Sequence, residues 1–229
     1  ELSISIMAIN QYDRVISPED YFLPDSVVEQ KQLDTAAMRP FRIDTMAVDK
    51  RFLPRLFVSA TQKMQSLNIG DWFAERPFQF SVIPGLSTHG KLSGQVINYF
   101  SVNMLGGYTG GLKGFEVGGL FNINKKDAGY FQAAGLFNLT GGRQAGFQAG
   151  GIANTVLGFT EGFQVAGVSN YNKWQMHGFQ VAGVVNYNQK GFRGFQAAGV
   201  YNHSGDYTAG MQIAGVFNFA RQKMKGVQI

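Results

Sequence analysis

A sixteen-residue repeat fills the sequence from Gly114 onward. Its core reads Gly-Phe-Gln-Φ-Ala-Gly-Φ-x-Asn, where Φ is aliphatic, and seven complete copies follow one another without insertion or deletion. The third core position is Glu116 in the first copy and glutamine in every later copy, while the ninth is always asparagine. A fixed period constrains the architecture strongly, because every copy must form the same unit and stack on its neighbours.

Each copy is predicted to form a β-strand. In the copy at Gly178, alternate residues from Phe179 to Tyr187 are apolar or glycine, whereas the residues between them run from Gln180 to Asn188 and carry the amides. This alternation has the period of two that a strand imposes on its side chains. Seven variable residues with turn formers separate the cores, so strands of about ten residues joined by short loops are expected.

Composition divides the chain into two modules near Arg76-Pro77. Residues 77–229 contain 29 of the 30 glycines and hold 11 Lys+Arg against 4 Asp+Glu, whereas residues 1–76 hold 9 against 11. Residues 1–76, the first module, are predicted to form an irregular N-terminal segment. The second, 77–229, is predicted to be a repeat β-domain with its regular repeats at 114–229. Further strands are expected upstream of the repeats, near Phe78 and Phe100.

One amphipathic helix is predicted in the first module, near 54–67. Its apolar side chains fall on one face, namely those of Leu53, Leu56, Phe57, Ala60, Met64 and Leu67. Such a face either packs against a neighbouring element or lies at a membrane interface.

Two main architectures fit the repeat, with an open or partner-completed sheet as a third. An antiparallel transmembrane β-barrel of about 9–10 strands, or more, uses each copy as one spanning strand with an apolar outer face. A parallel β-solenoid instead uses each copy as one turn, and the absence of insertions favours it. The linkers contain no consistently apolar row to close the core of such a turn, and this favours the all-β barrel as the main prediction.

The barrel prediction assigns a side to each row of side chains. The inward, structural amides are Gln132, Gln148, Gln164, Gln180, Gln196 and Gln212 together with Asn122, Asn138, Asn154, Asn170, Asn186, Asn202 and Asn218. The lipid-facing side chains are Phe115, Phe131, Phe147, Phe163, Phe179 and Phe195. Glu116 is an inward acid, either a functional site or a hydrogen-bonded substitute for glutamine.

The segments Phe78–Gly90 and Asn98–Tyr108, followed by the Gly-Phe-Gln-Val-Ala-Gly-Val-x-Asn copies, resemble the surface-repeat proteins of Gram-negative outer membranes. The likeness covers about residues 72–229, and the repeats are its specific part. Many members carry an upstream transthyretin-like or carboxypeptidase-regulatory-like domain, of which Leu2 to Ile9 would be the last strand. The resemblance implies an outer-membrane location and no activity that transfers residue by residue. With this location, residues 1–76 are expected to be a tether or docking segment in the periplasm.

No catalytic or metal-binding constellation is evident in the sequence. Its three histidines lack a second ligand at metal spacing, there is no cysteine, and no paired acids, nucleophile elbow or phosphate-binding loop occurs. We therefore expect no cofactor and a non-enzymatic role, as a structural or accessory subunit of an outer-membrane complex. The expected partners are outer-membrane lipid or lipopolysaccharide and other outer-membrane or periplasmic proteins, but no nucleic acid. The alternative function is a surface-displayed β-solenoid that serves as an adhesin or partner-binding platform.

Overall fold

Each repeat forms one turn of a parallel β-solenoid. In one turn, a seven-residue strand, Met176–Ala182, is followed by a corner at Gly183-Val184 and a four-residue strand, Val185–Asn188. The chain then turns again and begins the next long strand beside the first, so that Gln180 lies next to Gln196 in parallel register. The period of sixteen is therefore the length of one complete turn.

The computed structural model describes residues 47–69 and 72–229, apart from the side chains of residues 53 and 65–69. These residues belong to one unit, which spans Ile43–Ile229. The strand predicted at Leu2 to Ile9 and most of the predicted 1–76 segment lie outside the described residues.

Two sheets form the walls of the solenoid. The long-strand sheet contains β1 Ala74–Ile83, β2 Leu86–Ser87, β3 Val96–Asn103, β5 Gly111–Gly118, β7 Ala128–Ala134, β9 Gln144–Gly150, β11 Thr160–Ala166, β13 Met176–Ala182, β15 Phe192–Ala198, β17 Thr208–Ala214 and β19 Met224–Gln228. The short-strand sheet contains β4 Gly106–Thr109, β6 Phe121–Asn124, β8 Phe137–Thr140, β10 Ala153–Val156, β12 Ser169–Asn172, β14 Val185–Asn188, β16 Tyr201–Ser204 and β18 Phe217–Ala220. Neighbouring strands are parallel in both sheets, except that β2 pairs with β1 as an antiparallel hairpin.

The prediction of an antiparallel transmembrane barrel is wrong, although the all-β content is confirmed. Gly183, expected at the centre of one long strand, instead lies at the corner between β13 and β14. The repeat therefore supplies two strands and two turns rather than one spanning strand and a loop. The description of the chain as a transmembrane β-barrel is therefore wrong.

A row of glycines permits close contact between successive corners. A Cβ on Gly183 would lie 2.0 Å from the carbonyl oxygen of Gly167 in the preceding turn, and the same approach recurs at Gly199 and Gly215. Any side chain would collide with the backbone, because carbon and oxygen atoms do not normally approach so closely. Glycine therefore recurs every sixteen residues, because each turn makes this close approach at the same corner.

Two short helices precede the solenoid strands, α1 Phe52–Phe57 and α2 Ala60–Ile69. The sequence predicted one helix near 54–67, and the structure interrupts it at Val58 and Ser59. The packed side also differs from the predicted apolar face, because Leu56 and Met64 are exposed whereas Gln62 is buried. No helix in the described residues is long and apolar enough to cross a bilayer.

The residues around α1 cover the first turns of the short-strand sheet. Val48 and Val58 are buried in an apolar cluster with side chains from the outer face of that sheet and the adjoining turns, including Phe121, Phe137, Leu139 and Leu157. The rings of Phe57 and Phe121 lie 4.5 Å apart between centroids. This contact covers one outer face of the solenoid over its early turns.

Candidate functional site: an apolar face on an amide-filled solenoid

The interior of the solenoid is filled mainly by amide side chains. The predicted inward glutamines are fully buried between the two sheets, and the asparagines from Asn122 to Asn202 are buried with them. Asn218 is partly exposed. The amide rows therefore occupy the core between two parallel sheets, where the barrel prediction had placed them on the inner face of an antiparallel barrel.

The glutamines form one continuous hydrogen-bonded ladder. In each turn the glutamine Nε2 donates to the Oε1 of the glutamine in the preceding turn, as Gln164 does to Gln148 at 2.9 Å and Gln180 to Gln164 at 2.9 Å. The same bond extends along the row to Gln228 and Gln212. Buried amides without partners would destabilise the fold, and the ladder supplies the partners from the repeat itself.

The asparagines form a second ladder that runs in the opposite direction. Asn154 donates from Nδ2 to the Oδ1 of Asn170 in the following turn at 2.9 Å, and also to the backbone carbonyl of Val165 at 2.6 Å. The same pair of bonds recurs from Asn122 to Asn202. Each asparagine thus links its own turn to the next through both side chain and backbone.

Glu116 is the terminal acceptor of the glutamine ladder. It is fully buried and accepts hydrogen bonds from the amides of Gln132 at 2.8 Å, Asn124 at 2.7 Å and Asn103 at 3.0 Å. A carboxylate has only acceptors to offer, which matches a position where three amide donors converge. Burial raises the pKa of Glu116, and the surrounding amide donors oppose that rise. The structure thus places Glu116 as a hydrogen-bonded substitute for glutamine, enclosed in the core.

Replacing Glu116 by glutamine is expected to change how stability depends on pH. A carboxyl group with a raised pKa in the folded state binds its proton more tightly there, so its contribution is greatest below the unfolded pKa and declines as pH rises through the folded pKa. Relative to Glu116→Gln, the wild-type protein should therefore lose stability from about pH 4 upward. Urea unfolding of both proteins at several pH values measures this difference. If the difference in unfolding free energy between the two proteins were constant with pH, or changed in favour of the wild type as the pH rises, the raised pKa of Glu116 would be contradicted.

The outer side of the long-strand sheet is an apolar face made of three parallel rows. We define the apolar face by its phenylalanine row, its aliphatic row and the corner row that follows each strand. These are Phe100, Phe115, Phe131, Phe147, Phe163, Phe179, Phe195 and Met211; Val102, Val117, Ala133, Ala149, Val165, Val181, Ala197 and Ile213; and Leu105, Leu120, Leu136, Ile152, Val168, Val184, Val200 and Val216. The side chains of Phe115, Phe163 and Phe179 are each about half exposed, at 51%, 50% and 49%. Single exposed apolar residues are ordinary on a protein surface, but contiguous rows of them mark an interaction site.

The phenylalanine rings are ordered along the solenoid axis. Ring centroids lie 5.5 Å apart for Phe131 and Phe147 and 5.0 Å apart for Phe163 and Phe179, with nearly parallel planes. Other neighbouring rings of the row are tilted, by 31° for Phe115 and Phe131 and by 36° for Phe179 and Phe195, so the row combines stacked and tilted pairs. The six phenylalanines predicted to face lipid all belong to this row.

The corner row was not recognised from the sequence. Val184 and Val200 were expected to point with the amides, since they share their parity in the repeat, but both lie exposed at the corner. The signal that could have revealed this is the glycine immediately before each of them, because a glycine repeated at one position indicates a turn or a close backbone approach.

The outer face of the short-strand sheet carries a second aromatic stack. The rings of Tyr171, Tyr187, His203 and Phe219 stack at centroid distances of 5.7, 4.3 and 5.2 Å, and Tyr171 also packs against the apolar cluster around Val48 and Val58. Burial lowers the pKa of His203. Because the ring faces are turned toward one another, this stack offers only ring edges to a flat ligand such as a sugar or a base.

The remaining polar chemistry is dispersed. In the described part of the chain, no group of three or more His, Cys, Asp or Glu side chains could hold a metal ion. An open groove of about 290 Å³ lies between Arg51, Tyr171 and their neighbours, and a second, of about 190 Å³, lies beside Trp72, Arg76 and His89. The first groove is lined in part by Leu139, Thr155 and Tyr171 of the short-strand sheet, and neither groove includes a residue of the apolar face. The apolar face, which extends over eight turns, is therefore the main candidate site.

Comparison with known proteins identifies no relative. No protein-family model, no curated protein and no solved structure matches the chain.

Proposed function

We propose that the protein is a β-solenoid platform that binds a partner through its apolar face. The observation that carries this proposal is the exposure of three contiguous apolar rows over eight successive turns. Monomeric soluble proteins rarely leave so large an apolar patch in water, and larger patches mark sites of interaction. The phenylalanine row supplies aromatic side chains of the kind enriched at interfaces.

The interior supports a platform role because it holds the face rigid. Both amide ladders connect every turn to the next, and the backbone of each strand pairs in register with its neighbours. A surface whose side chains are already ordered loses little conformational freedom when a partner binds. The side chains of the face therefore have nearly the same arrangement before and after a partner binds.

A binding role accounts for the polar residues better than an enzymatic one. The glutamines and asparagines of the repeat are buried and bonded to one another, so that a substrate could not reach them. Glu116 is enclosed by three amides in the same way. The absence of catalysis, the resemblance to surface-repeat proteins and the surface location that it implies stay predictions.

Photo-crosslinking from two faces of the solenoid tests the proposal. We expect p-benzoyl-phenylalanine at Phe163, on the apolar face, to form several times more crosslinks in expressing cells than the same residue at Tyr187. Tyr187 is a matched control, because it is a partly exposed aromatic residue on the outer face of the short-strand sheet. Equal crosslinking from both positions, or none from either, would contradict a platform that acts through the apolar face.

A further inference from the structure

We infer that the partner of the apolar face is a second copy of this chain, packed face to face in a symmetric dimer. This inference rests on the proposed function and names its partner. Two properties of the face lead to it: its area and its repeat distance.

The area of the face approaches what a stable interface needs. The phenylalanine row and the corner row are five residues apart, which is at most about 17 Å because the chain bends at the corner, and eight turns span about 34 Å at ordinary strand spacing. The projected area is therefore on the order of 600 Å² before the relief of the side chains is added. Stable interfaces bury about 800 Å² per partner, so one copy of the face can provide most of such an interface.

The repeat distance favours a second solenoid as the partner. Residues of each row are paired in register from turn to turn, as Phe163 is with Phe179 and Val165 with Val181. The face is therefore ridged at the spacing of the strands, about 4.8 Å. A second copy has the same spacing, so that the ridges of one can lie in the grooves of the other, as in packed β-sheets.

The charges along the border of the face are only partly paired. Three salt bridges lie beside the long-strand sheet, among them the pair Arg143 and Glu161. Arg193 and Lys225, in the long strands themselves, are exposed and have no carboxylate partner among the described residues. Because unpaired basic residues beside an apolar face strengthen binding to an anionic bilayer, the test must separate bilayer binding from dimer formation.

The test compares two Val→Lys variants within one turn. Val181 lies on the apolar face, whereas Val185 points outward from the short-strand sheet on the opposite side. In a two-fold dimer Val181→Lys places a lysine in the interface from each copy. We expect it to raise the dimer dissociation constant at least about 100-fold, because charges buried without partners are costly. Val185→Lys should leave the constant unchanged.

Sedimentation equilibrium of the wild type and both variants measures the association. Circular dichroism and urea unfolding establish that each variant is folded. Flotation with vesicles of phosphatidylcholine and phosphatidylglycerol tests whether the protein binds a bilayer. A dimer lost only in Val181→Lys supports the inference. A wild type that stays monomeric at every concentration, or equal weakening by both variants, overturns it. A monomeric wild type that floats with vesicles through Val181 overturns the dimer but leaves the platform standing.

Discussion

Replacing Gln164 by methionine is expected to lower the free energy of unfolding by about 3–5 kcal/mol. Methionine has nearly the same shape as glutamine but cannot take part in the ladder. Its introduction leaves the Oε1 of Gln148 and the Nε2 of Gln180 without the bonds that Gln164 provides. It also removes the bond of 2.9 Å from Asn172 to Gln164. Each buried polar atom left unpaired costs about 1–3 kcal/mol, and urea denaturation measures the total.

Gln144 provides a matched control for this experiment. It is also a fully buried glutamine, one long strand earlier, but neither its Nε2 nor its Oε1 has a hydrogen-bond partner among the residues that the structure describes. Met176 occupies the equivalent position two turns later and is equally buried. Gln144→Met should therefore stabilise the protein by about 1–3 kcal/mol. If the two substitutions had the same effect, the stabilising role of the ladder would be refuted.

Replacing Gly183 by alanine is expected to cost about 3–5 kcal/mol or to prevent folding. The new Cβ would lie 2.0 Å from the carbonyl oxygen of Gly167, which belongs to the backbone and cannot rotate away. Relief requires the two turns to move apart, and such a movement would stretch the adjacent bonds of both amide ladders. Thermal and urea unfolding measure the loss, and the yield of folded protein reports a complete failure to fold.

Gly129 shows whether the effect comes from the close approach or from the loss of a glycine as such. A Cβ on Gly129 would meet its nearest atom, the carbonyl oxygen of Leu112, at an ordinary contact distance of 3.6 Å. Gly129→Ala should therefore change stability by less than about 1 kcal/mol in either direction. A comparable loss from both substitutions would remove the close-approach explanation for the glycine row.

The sequence was sufficient to predict strands and their repeat, but not how they are connected. Alternation from Phe179 to Ala182 correctly indicates a strand, because side chains on a strand point to opposite sides. The same alternation was extended through Gly183 to Tyr187, where the chain in fact turns a corner. A glycine without a side chain interrupts no pattern of polarity, so the corner was invisible to an argument based on parity alone.

The argument against a solenoid depended on the need for a second apolar row inside each turn. That need does not arise, because the corresponding inner positions hold mixed residues such as Asn172 and Thr160, and the amides bond across the core. Hydrogen-bond geometry between turns cannot be read from one turn of sequence. The outward phenylalanine row could be read from its spacing, whereas the corner row required the position of the turn.

The opposite directions of the two amide ladders have a consequence for the length of the solenoid. Glutamine amides donate toward the start of the chain and asparagine amides toward its end. The dipoles of the two rows therefore oppose each other in every turn, and their sum along the axis stays small however many turns are stacked. In an α-helix, by contrast, aligned peptide dipoles accumulate at the ends. Duplicating this sixteen-residue unit adds stability without building up an electrostatic potential, so the repeat number is free to vary with the size of the surface required.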